Sequence, residues 1–139
     1  MARASETLTI DEVVELNRQQ IDLFGGLFLG ANNFHNQASL EYALEAMNAD
    51  SFGQELYPGL ADKAALLAYT IIQNHVFHDG NKRTAISATR IFLLLNGFDL
   101  EIQQEVVDQE AVSVALDVAN SVLGREELAE WIASKMTTI

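Results

Sequence analysis

No cysteine occurs in this chain, so disulfides, thiolate metal sites and cysteine nucleophiles are excluded together, and a reducing compartment suits it. Proline is nearly absent as well: Pro58 stands alone, leaving little to interrupt helices. Positive charge is scarce. Eight basic residues face twenty acidic ones, and a net charge of −12 opposes docking on a phosphate backbone, so no nucleic acid is expected as partner. No run approaches about eighteen uncharged apolar residues and no signal-peptide block opens the chain, so no membrane is expected as partner either. The expectation is a soluble, cytoplasmic protein.

What is abundant is apolar side chain, 49% of 139 residues, enough to bury a core within one domain. No repeat, low-complexity tract or linker divides residues 1–139, which read as a single domain. Thr9 and Glu12 stand at capping-box spacing, with Leu8 and Val13 placed as a hydrophobic staple. They predict a helix from Ile10 to just before Gly25-Gly26. Residues 25–37, GGLFLGANNFHNQ, have no clear period and read as a long loop, mobile or binding. A short helix is expected near 38–48, then a loop from Ser51 to Gly59 ending in the turn signal Tyr57-Pro58-Gly59.

Ala61 to Asn74 carries apolar residues on nearly every face, which predicts a central, buried helix. Thr84 to Leu95 reads the same way and stops at Asn96-Gly97. Residues 98–104, FDLEIQQ, alternate as a short extended segment through Phe98, Leu100 and Ile102. Helical patterns over 109–123 and from Arg125 to Met136 complete an all-α bundle of about six helices with little or no sheet.

Between the two buried helices lies HVFHDGNKRT, His75 to Thr84. Gly80 permits a sharp turn, after which Asn81, Lys82, Arg83 and Thr84 form a first helical turn whose amides point at an anion. Two of the eight basic residues, Lys82 and Arg83, stand there, and a lysine early in a helix opposes the dipole and so suggests a ligand. Asp79 offers a hard oxygen ligand for a magnesium ion bridging phosphates, or else caps the following helix. His75 suits a general base near neutral pH, and Phe77 a core anchor. The His78-Asp79 doublet also suggests an HD-type phosphohydrolase, with His35 and Asp108 or Asp117 as further ligands.

The decapeptide resembles the signature of the Fic/Doc superfamily, and within it the death-on-curing branch. Larger Fic enzymes carry H-P-F-x-D/E-G-N-G-R/K-x-x-R, where this chain has Val76, Lys82 and Ile86 for the proline, the second glycine and the final arginine. The death-on-curing branch departs alike, reading H-x-F-x-D-A/G-N-K-R-T-A. LFGG at 23–26, LEYAL at 40–44, ELYPGLADKAA at 55–65, FLLLNG at 92–97 and LAEWI at 128–132 are similar to that family too.

The resemblance implies a compact helical fold that binds ATP and Mg2+ at the motif. Catalytic roles fall on His75, which takes a proton from a protein hydroxyl, on Asp79, which holds the metal, and on Asn81, which positions the transferred phosphate. Gly80, Asn81, Lys82, Arg83 and Thr84 form the nucleotide-binding run. The missing arginine at Ile86 implies a reversed nucleotide and γ-phosphate transfer, a kinase-like toxin whose target resembles elongation factor Tu. AMP transfer is the alternative, and a catalytically silent binding module a second. Self-inhibited members carry Ser or Thr, three residues, then Glu with Gly or Asn. Here Ser51 to Glu55 is followed by Leu56, so an external, Phd-like antitoxin is the implied partner.

Overall fold

A computed structural model describes residues 5–102 and 108–139. Six helices occur among them: α1 Ile10–Phe24, α2 Gln37–Ala46, α3 Leu60–Gln73, α4 Asn81–Leu95, α5 Gln109–Ala119 and α6 Arg125–Lys135. The four strands are β1 Asp50–Ser51, β2 Gln54–Glu55, β3 Phe98–Leu100 and β4 Met136–Thr138. They form two small antiparallel pairs, so the all-α expectation holds. No described helix is long and apolar enough to cross a membrane.

Both halves of the Thr9–Glu12 capping box form, and Leu8 and Val13 are buried, so α1 starts where the sequence places it. Helix α3 is the central strut, packed chiefly against α4 and α6. Ala64, Ala65, Leu66, Leu67, Ala68, Ile71 and Ile72 are all buried. Small residues at 64, 65 and 68 let neighbouring helices approach closely on several sides. Helix α4 differs from its expectation of all-round burial. Its buried residues, Thr84, Ala85, Ala88, Thr89, Phe92 and Leu93, form a stripe at helical spacing, while Leu95 is exposed.

Three further differences have local causes. The expected loop from Ser51 to Gly59 contains the β1–β2 hairpin, closed by Phe52 and Gly53 at φ 53° and 81°. Helix α5 ends at Ala119 rather than 123, because Ser121 turns left-handed at φ 59° and Val122 and Leu123 both donate back to Asp117. The extended segment at 98–104 finds its partner in β4, with Leu100 opposite Met136, which shortens the last helix to Lys135. Gln103 and Gln104 lie outside the described residues.

Candidate active site

His75, just past the end of α3, sits at φ 47°, a left-handed conformation uncommon for a residue with a Cβ. The turn leaves its side chain exposed and its carbonyl accepting from His35 Nδ1 at 3.1 Å. Val76 and Phe77 then drop into the core. Phe77 stacks on Phe34 with ring centroids 5.3 Å apart, and the two residues form an isolated β-bridge. His35 and Asn36 both donate their amides to Val76 O. The aromatic anchor therefore fastens the motif to the loop 25–37.

Asn81 closes the turn on itself. Its Oδ1 accepts from Phe77 N at 2.9 Å, and its Nδ2 donates to Phe77 O at 2.8 Å. Gly80, at φ 77°, occupies the N-cap of α4 with no side-chain cap. Of the two readings of Asp79, the capping one is not what forms. Asp79 Oδ1 accepts from Gly80 N at 2.8 Å and Oδ2 from Leu27 N at 3.0 Å. Loop 25–37 comes so near that a Cβ on Gly26 would lie 2.7 Å from Asp79 Oδ2. Each carboxylate oxygen keeps a further lone pair, and one fixed carboxylate fits a magnesium ion that otherwise holds water and phosphate oxygens.

Lys82 and Arg83 are exposed, the arginine stacked over Phe24 at 4.7 Å. Among the described residues, Arg18, Lys63, Arg90 and Lys135 each pair with a carboxylate; Lys82 and Arg83 carry no such pair. Thr84 differs from its expectation as a nucleotide-binding residue with a free amide. It is fully buried, its hydroxyl accepts from Asn17 Nδ2, and its amide donates to Gly80 O. At the fourth helical position its amide is already within the ladder.

Two cavities meet along Asp79, Gly80, Asn81 and Lys82. One, of about 190 Å³, also includes His75, His78 and the apolar Ile72 and Ala119. The other, of about 390 Å³, adds Arg83, Ile86 and Val112. No group of three or more His, Asp or Glu side chains placed to hold a metal occurs among the described residues. His35 meets His78 edge-on at 5.5 Å, and Asp108 caps α5 through Ala111 N, so the HD-type ligand set is not assembled.

The sequence profile described as the Fic/DOC family matches residues 7–93, more than half the chain. The chain belongs to the Fic/DOC family. It is also 32% identical over 122 residues to a protein named Toxin Doc from Mycolicibacterium smegmatis, covering 87% of this chain and 89% of that protein. Within this Fic/DOC chain, the contiguous motif is only part of what shapes the site. Asn17, Asn33 and the Leu27 amide come from outside it. A signal for Asn17 existed: Val13, Val14, Asn17 and Ile21 share one buried face of α1, and Asn17 is its polar interruption.

Proposed function

We propose that the chain is a toxin of a toxin–antitoxin pair that transfers the γ-phosphate of a nucleoside triphosphate to a protein hydroxyl. The observation that carries this reading is the division of cavities along Asp79–Lys82. A nucleoside triphosphate has one largely apolar end and one charged tail. The apolar wall of Ile86 and Val112 suits the nucleoside, and the uncapped start of α4 with unpaired Lys82 and Arg83 suits the phosphates. The tail then runs toward the cavity of His75, which puts the terminal phosphate nearest the base.

In the mechanism, a target hydroxyl enters beside His75, whose neutral ring accepts its proton. The hydroxyl oxygen attacks the γ-phosphorus while the bond to the β–γ bridging oxygen breaks, and the nucleoside diphosphate leaves with that electron pair. Asp79 would hold Mg2+, which when bound neutralises phosphate charge. The amides of the first α4 turn and Lys82 offset charge developing on the equatorial and leaving oxygens. Asn81 acts through backbone: bound at both ends to Phe77, it fixes the turn that presents those amides.

Two features support control from outside. Ser51 and Glu55 lie in the β1–β2 hairpin, and Glu55 pairs with the buried Lys63 at 3.4 Å, so that segment is not an inhibitory helix over the site. The relative named Toxin Doc supports a toxin that needs an antitoxin, here expected to be Phd-like. Elongation factor Tu is the candidate target. Incubation with ATP labelled at the α or the γ position tests the reaction. Label from γ on the target is expected, and label from α would replace phosphate transfer by AMP transfer.

A further inference from the structure

Beneath the motif runs a short chain of buried amides that the transfer chemistry does not touch. Asn17 on α1 is wholly buried, and Asn33 in loop 25–37 is 1% exposed at φ 58°. Asn17 Nδ2 donates to the carbonyl of Asp79 at 2.9 Å and to Thr84 Oγ1 at 3.0 Å. Its Oδ1 accepts from Asn33 Nδ2 at 2.9 Å. Asn33 Oδ1 in turn accepts from Leu29 N at 2.7 Å, and the Asn33 carbonyl accepts from His78 N at 2.9 Å.

For stability alone, an aliphatic residue at 17 would continue the buried face of Val13, Val14 and Ile21. The amide instead bridges three segments, loop 25–37, the motif turn and the first turn of α4, in addition to the backbone and aromatic contacts that already join loop and motif. We propose that Asn17 and Asn33 are positioning residues of the transfer site, coupling the conformation of loop 25–37 to Asp79. Asp79 is held at both ends by this arrangement, its carbonyl by Asn17 and its carboxylate by the Leu27 amide. A change in the loop therefore moves the metal-binding oxygens relative to the amides that receive phosphate. The inference rests on the phosphotransfer reading for its kinetic consequence, and on the hydrogen bonds alone for the coupling.

Three variants separate the parts. Asn33→Gly keeps the positive φ and removes the amide, Asn33→Asp keeps an acceptor for Leu29 N and removes the donor to Asn17, and Asn17→Leu removes the relay at its centre. Hydrogen exchange of the Leu27 amide, which has no bond to either asparagine, is expected to speed up in all three. Well below the unfolding temperature, kcat should fall by about ten- to a hundred-fold with KM for ATP nearly unchanged. The double variant Asn17→Leu/Asn33→Gly should be no slower than the worse single one. Unchanged exchange at Leu27 with kcat within about two-fold of the parent overturns the proposal, as do independent, multiplying losses. If Asn17→Leu does not fold, the two Asn33 variants carry the test. A parent chain that transfers no phosphate refutes the functional reading, while exchange at Leu27 still decides the coupling.

Discussion

His75 combines exposure with a backbone conformation that disfavours any side chain bearing a Cβ, at a cost of about 1–2 kcal/mol. A residue kept for packing would not be placed so. His75→Gly is therefore expected to lose transfer by about a hundred-fold or more, with a melting temperature equal to or above the parent's. Inactivity accompanied by a drop of several degrees would show instead that the imidazole is structural. Most of the candidate site was legible because it is contiguous. His75, Asp79, Gly80, Lys82 and Arg83 fall within nine residues, and helix-terminus physics makes the start of α4 beside them a candidate anion site. Thr84 falls outside it because its amide, at the fourth helical position, already donates to Gly80 O and its side chain faces inward. Asn33 was illegible: nothing in GGLFLGANNFHNQ tells which asparagine turns inward at positive φ.

Loop 25–37 reaches the candidate site without belonging to the motif. At Gly26, φ 130° and a close approach combine, since a new Cβ would also lie 2.9 Å from Ile21 Cδ1. Gly26→Ala should displace Asp79 and lower kcat by about ten-fold or more, while Gly25→Ala, with open space at its Cβ, should spare Asp79 despite local strain. Equal effects of the two on kcat would assign the loss to backbone strain instead. The β3 strand offers a pH test. Arg90 binds both carboxylate oxygens of Asp99 at 2.9 and 3.3 Å, and this hydrogen bonding holds the Asp99 carboxyl below its usual 3.8. A depressed folded value stabilises above pH 3.8 and is lost as pH falls through the folded value. Asp99→Asn should cost about 1 kcal/mol or less at pH 7, and progressively less as pH falls below 3.8, measured by urea denaturation.

The start of α1 was legible because its cap was, at Thr9. The β1–β2 turn was not, because Phe52 is no turn signal and its positive φ is imposed by pairing on either side. Nor was β4: its partner lies 38 residues earlier, and no local pattern reports a pairing at that range.

At the scale of the whole molecule, helix α3 supports everything described above, since its last residues deliver His75 and its flanks seat α4 and α6. Leu67→Ala, at a fully buried position, is expected to cost about 2–5 kcal/mol in denaturant unfolding. The local positive charge at Lys82 and Arg83 persists in a chain of net charge −12 because the other paired cations are spent on carboxylates elsewhere. The two cavities meeting at one helix start bear on the order of events in a catalytic cycle. On the proposed reading, acceptor and donor would have separate places to sit, and both substrates would be bound together before anything reacts. Initial-rate plots at several fixed concentrations of the second substrate should then intersect, as for a ternary complex. Parallel lines would mean that the protein itself carries the phosphate between two half-reactions.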